Sequence, residues 1–183
     1  MINEENYILI IFLSLVLIFA SINDIKHQKI PNLLNFPLMG IGLIYHSIFF
    51  GLEGFLFSGG GLLLGTAIFL PVYIFGGMGA GDAKLMGAVG SFLGAKGVFI
   101  SSVLTALYGG IYALLLLLVY RQYGWELFSR TKAVLKTLIL TQKFIPMSSP
   151  NPVKKKPRLC YGIAIALGTV TYLLLDYMGY AFF

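Results

Sequence analysis

Two aspartates stand at the ends of apolar segments, in surroundings that the other acids of the chain do not share. Asp24 closes the first hydrophobic run, in Ser21-Ile22-Asn23-Asp24-Ile25-Lys26. Asp82 closes a glycine loop, Gly76-Gly77-Met78-Gly79-Ala80-Gly81-Asp82-Ala83-Lys84. A carboxylate at the edge of apolar chain is costly, so it usually has a partner or a task. The sequence holds only seven acids, which makes two in such places informative. Two carboxylates brought close cannot both ionise easily, and one keeps its proton near neutral pH. Aspartyl proteolysis needs that state. The ionised carboxylate takes a proton from water, which attacks a peptide carbonyl, while the protonated one polarises the carbonyl and a proton passes to the leaving amine. This chemistry requires no metal, no cofactor and no covalent intermediate.

The glycines fit the same reading. Gly79 and Gly81, with Gly76 and Gly77 before them, permit positive φ and close backbone approach. They shape a loop that can bring Asp82 against Asp24 and lay an extended substrate beside them. Asp82 directly precedes an apolar segment and is expected as its N-cap, where a helix end favours the anion. Asp24 lies near a helix C-terminus, which disfavours one. On that basis Asp82 is the expected resting base and Asp24 the expected resting acid. Plainer readings exist for each residue alone: Asp24 as an interfacial partner of Lys26 or Lys29, Asp82 as a simple cap, Lys84 as a snorkelling lysine. The loop is neither a dinucleotide-binding turn nor a P-loop, because the third glycine spacing and a Gly-Lys-Ser/Thr are both absent.

These residues need elements to carry them, and composition says where the elements lie. Of 183 residues, 58% are hydrophobic and 11% charged. A soluble domain carries about 25% charged residues. The chain is therefore expected to be an all-α integral membrane protein, a single membrane-embedded domain over 1–183. One cysteine, Cys160, excludes a disulfide framework and a Cys-x-x-Cys metal site. The net charge of +6 does not point to nucleic acid, because the basic residues sit mostly between apolar runs. The acidic flank at Glu4 and Glu5 argues for a first membrane helix over a cleavable signal peptide.

Six spans are expected, at about 6–23, 33–50, 55–75, 83–95, 97–119 and 159–182, against a need of about 17–25 residues each. The fourth is short, with Gly94-Ala95-Lys96-Gly97 as its outer turn. Fusing it with the fifth would send the basic 120–158 loop to the other face. With six spans and the N-terminus outside, 12 of the 13 basic residues fall inside, all but Lys96. That satisfies the positive-inside rule. Asp24 and Asp82 then share the cytoplasmic face of the cytoplasmic (inner) membrane. Within the 120–158 loop, the stretch from Trp125 to Ile145 is expected as an amphipathic helix on the membrane surface.

The ordered motifs resemble the type IV prepilin peptidases, inner-membrane aspartyl proteases with a Gly-x-Gly-Asp signature. The matching segments are Asp24-Ile25-Lys26-His27-Gln28-Lys29-Ile30-Pro31-Asn32, Gly79-Ala80-Gly81-Asp82-Ala83-Lys84-Leu85-Met86, and Arg158-Leu159-Cys160-Tyr161-Gly162 before the last span. The resemblance implies cleavage of a short basic leader from prepilin-like substrates after a glycine, with Asp24 and Asp82 as the catalytic pair and Gly79, Gly81 and Lys84 around it. Lacking paired cysteines, the chain is similar to the short, peptidase-only members found with Flp/Tad pilus systems. Archaeal preflagellin peptidases are equally short and stay open as an alternative. From other classes, a small ion-coupled transporter and a secretion-system membrane scaffold stay open too. Oligomeric state is not legible.

Overall fold

The computed structural model describes residues 4–74, 77–119 and 160–179, and all of the regular structure among them is helical. In chain order the helices are α1 (Glu4–His27), α2 (Asn32–Ile74), α3 (Ala80–Val119) and α4 (Tyr161–Tyr177). The first three are long and apolar enough to cross a membrane, and α4 is a shorter apolar helix. Large apolar side chains such as Ile11, Leu15, Ile48, Leu63 and Leu107 stand exposed around them. Such an exterior suits lipid, not water. The expected surface helix between Trp125 and Ile145 lies outside the described residues. The described residues fall into two compact units, one within 1–110 and 159–183 and one within 111–158, of which only residues 111–119 are described.

A straight helix as long as α2 would measure roughly 64 Å, about twice the thickness of a bilayer's hydrocarbon. It is not straight. Gly51 adopts φ 61° and ψ −138°, outside the helical region. The rings of His46 and Phe57 lie 5.1 Å apart, where an unbroken helix would separate them by roughly 16 Å. The chain therefore doubles back at Gly51, a conformation open to glycine because it lacks a Cβ. α3 does the same at Gly94, with φ 69° and ψ −177°. Gly65 faces both the Met86 carbonyl and the Val98 side chain, positions that a straight helix would hold roughly 18 Å apart. Residues 32–50 and 52–74, and residues 80–93 and 95–119, are thus two pairs of helical segments, each pair joined by a glycine reversal.

Segment 80–93 is the centre of the bundle. Leu85, Met86, Ala88 and Val89 are wholly buried, and Ala83 and Phe92 nearly so. A helix apolar on every side belongs in such a position. Its neighbours approach closely because small residues line the contacts. A Cβ on Gly90 would run into the Gly61 carbonyl, and one on Gly61 into the Gly90 carbonyl. Gly42 meets Ser91, and Gly87 meets Thr66. The Ser58 hydroxyl donates to the Ser91 carbonyl at 2.7 Å, tying the two glycine-faced segments together. Phe12 of α1 packs against Phe92, ring centroids 6.4 Å apart. α4 closes the bundle where Gly168 sits against Thr105.

These contacts leave no room for a methyl group at Gly90. Gly90→Ala is expected to destabilise the protein by about 1–3 kcal/mol through overpacking, seen as a lower melting temperature in detergent. Gly60→Ala, where a Cβ meets nothing, should leave the melting temperature unchanged or slightly raised.

Candidate active site

Three helix ends meet at one end of the bundle: the last turn of α1, the first turn of α3 and the first turn of α4. The link between α1 and α2 joins them. α1 stops at His27 because Gln28 turns to φ 53°, its N–H still donating to the Asp24 carbonyl at 2.8 Å. Asn23 straps the link from inside, donating to the Lys29 carbonyl at 3.0 Å and pairing with His27 Nδ1 at 2.9 Å. Ile30 is thereby turned inward and buried. A Cβ on Gly81 would lie 2.9 Å from the Ile30 carbonyl oxygen, so the glycine at 81 lets the Asp82 loop lie directly on this link.

Asp24 and Asp82 are buried here, 5% and 7% exposed. Each carboxylate receives one backbone N–H on Oδ2 at 2.9 Å, Asp24 from Gly162 and Asp82 from Gly79. Asp82 also lies near enough to Asp24 for that carboxylate's charge to add to the effect of its burial. The Cys160 thiol feels both carboxylates, and Tyr161 feels Asp82. The start of α4 therefore lies against Asp24 and near Asp82. The Ser21 hydroxyl donates to the Gly162 carbonyl at 3.1 Å, fixing that turn to α1, and Cys160 Sγ lies 3.9 Å from the Asp24 carbonyl oxygen.

The expected N-cap role of Asp82 needs correction. α3 begins at Ala80, so Asp82 stands inside the first turn and reaches back to the N–H of Gly79, while its own N–H donates to the Gly79 carbonyl at 3.1 Å. This is the N3 half of a capping box, with the backbone carbonyl of Gly79 accepting where a side-chain oxygen would usually do so. The basis for ranking the two acids also falls away. Asp24 does sit in the last turn of α1, but its carboxylate meets the N-terminal turn of α4, whose dipole favours an anion as α3's does for Asp82. Helix ends therefore do not distinguish the two.

The other expected site residues are gathered here as well. Gly79 supplies the donor to Asp82, and Gly81 the close approach to Ile30. Lys84 bridges to Asn32 Oδ1 at 2.9 Å and lies over the Phe36 ring, 4.9 Å from its centroid. Gly162, which donates to Asp24, and Asn35, whose Nδ2 donates to the Gly81 carbonyl, are contacts of the two acidic turns that sequence reasoning misses. Gly162 belongs to the Cys160-Tyr161-Gly162 segment, but a backbone donor leaves no trace in residue type. His46 is buried far along α2, bonded to the Gly42 carbonyl and stacked among Tyr45, Phe50 and Phe57. Among the described residues no three His, Cys, Asp or Glu side chains are grouped as a metal cage. The site holds two buried carboxyl groups at one end of the bundle, each on a backbone N–H, an arrangement that suits proton transfer to and from a water molecule.

Comparison with known proteins points the same way. The profile described as the type IV leader peptidase family matches residues 11–114, a range holding Asp24, Asp82 and the glycine loop. A prepilin leader peptidase/N-methyltransferase of Xanthomonas campestris pv. campestris is 34% identical over 112 residues, covering 56% of this chain and 39% of the relative. The chain thus aligns with about two fifths of that protein's length. No solved structure matches the chain significantly.

A Cβ on Gly162 would lie 3.0 Å from Asp24 Oδ2 and 3.1 Å from Asp24 Cβ. Gly162→Ala is therefore expected to push the carboxylate off its N–H donor. Carbodiimide labelling of Asp24, read by mass spectrometry, should rise severalfold. Gly110→Ala, with open space around the new Cβ, should leave the labelling unchanged.

Proposed function

The chain belongs to the type IV leader peptidase family, and on that premise we propose that it is a membrane aspartyl endopeptidase of the peptidase-only type. It removes the short basic leader of type IV prepilin-like substrates at the cytoplasmic face of the membrane, with Asp24 and Asp82 as its catalytic pair. The observation that carries this reading is the pair itself: two buried carboxylates from different helices, at one end of the bundle, each receiving one backbone N–H. A structural role for both acids would favour neutralising partners. Among the described residues neither carboxylate is joined to a lysine or arginine.

In the resulting mechanism, one carboxyl group holds a proton and the other is ionised. The ionised carboxylate accepts a proton from water as the water oxygen bonds to the scissile carbonyl carbon. The protonated carboxyl gives its proton to the carbonyl oxygen, yielding a neutral tetrahedral diol. The C–N bond then breaks and a hydroxyl proton returns to the pair as the carbonyl re-forms. The other carboxyl protonates the leaving amine, so the pair ends singly protonated, as it began.

The bundle is read as one membrane-embedded domain of six spans, with its N-terminus outside. The reversals at Gly51 and Gly94 support the division of α2 and α3 into two crossings each. The positive-inside distribution supports the orientation. An ion-coupling role for the acids is disfavoured, because both lie at one end of the bundle and not at the middle of a pathway.

Co-expression with a prepilin bearing a basic leader tests the reading. Wild type should shorten the substrate on a gel. Asp24→Asn and Asp82→Asn should each reduce processing by roughly 100-fold or more, the usual scale for removing a proton-transfer group, while inserting normally. Equal processing by wild type and both variants would sink the proposal.

A further inference from the structure

α2 reaches toward the Asp82 turn with two amides one helical turn apart. Asn32 and Asn35 share a face of the helix, and they meet Lys84 and Gly81, which bracket Asp82 in sequence. The outer contact is the Lys84 to Asn32 bond near the surface. The inner one is different in kind. Asn35 is fully buried, and its Nδ2 donates to the Gly81 carbonyl at 3.0 Å. The amide's orientation is settled by its partner, since a carbonyl can only accept. Its other end, Oδ1, is also buried and has no partner among the described residues.

A buried amide satisfied at one end only is poorer for stability than an apolar side chain of the same shape. Asn35 is therefore not explained by the packing of α2. What it does hold is the peptide unit that leads into Asp82. The Gly79 N–H fixes the Asp82 carboxylate from one side, and Ile30 supports Gly81 from another. The Asn35 bond adds a side-chain hold on the Gly81–Asp82 peptide in the first turn of α3, where a helix is least constrained.

We propose that Asn35 is a positioning residue for Asp82: its side chain clamps the Gly81 carbonyl and so aims the Asp82 carboxylate at the substrate and at Asp24. This rests on the proposed peptidase reading, in which Asp82 does the chemistry. A residue acting in this way affects turnover more than binding, and its loss need not weaken the fold.

The test uses the full chain in detergent and a quenched-fluorescence peptide with a lysine-rich leader, a glycine and a following apolar stretch. Asn35→Leu should lower kcat by roughly ten- to a hundredfold, the scale of a small misplacement of a reacting group. KM should stay within about twofold and the melting temperature within a few degrees, because the lost Gly81 bond is offset by no longer burying the unpartnered Oδ1. Leu33→Ala, at a highly exposed neighbouring position, should change neither constant. Where Asn35→Leu does not insert, Asn35→Ala is read in its place. An unchanged kcat, a loss confined to KM, or failure of both variants to fold would overturn the proposal, the last by assigning Asn35 to the fold. Failure of the peptidase reading looks different: wild type would not cut the peptide, or Asp82→Asn would still cut it.

Discussion

Burying two carboxylates at one end of a helical bundle is the constraint on which the rest of this structure depends. An unpaired charge removed from water is prohibitively costly, and the group keeps its proton or finds donors. Here the donors come from the backbone, because only the first turn of a helix has N–H groups with no partner of their own. The constraint therefore recruits two helix starts, α3 for Asp82 and α4 for Asp24. It also explains three glycines. Gly79 turns its N–H toward Asp82, Gly81 lets the loop lie on Ile30, and Gly162 brings α4 to within contact of Asp24.

Rigidity at this site is inherited from the centre of the fold. Asp82 is the third residue of segment 80–93, which neighbours surround with glycine and serine contacts. Small residues allow backbones to touch, and backbones deform less than side chains. Proton transfer requires groups held within a fraction of an ångström. The close packing of Gly61 on Gly90 and of Gly42 on Ser91 thus steadies the segment whose other end carries Asp82, as the proposed proton transfer requires.

Much of this is legible in the amino-acid sequence, and the exceptions share a cause. Asp24 and Asp82 stand out because acids are rare beside apolar runs. The glycine spacing forecasts a close approach, the reversal at Gly51 falls at the gap between two expected spans, and that at Gly94 falls in the expected turn Gly94-Ala95-Lys96-Gly97. Span boundaries are readable there because turns in apolar chain are marked by glycine. The Gly162 donor is invisible because it is a backbone group acting 138 residues from its acceptor. Asn35 is hidden inside an apolar run, where one polar letter reads as noise. The N-cap expectation for Asp82 misses because Gly79 can itself begin the helix, which moves the acid inward. The helix-end argument for unequal roles loses its basis for the same reason that hides Gly162: the helix that gives Asp24 its own N–H donor arrives from the far end of the chain.

The central claim is that Asp24 and Asp82 work as one proton-sharing unit. The dependence of kcat/KM on pH for leader cleavage, followed over roughly pH 4 to 9, tests it most directly, because both limbs of the profile belong to the free enzyme's acid and base. The account predicts a bell. Activity falls on the acid side as the second carboxylate takes up a proton, and on the alkaline side as the pair loses the one it shares. A flat profile, or a single limb with no decline on the other side, would contradict a shared proton and with it the reading of the site.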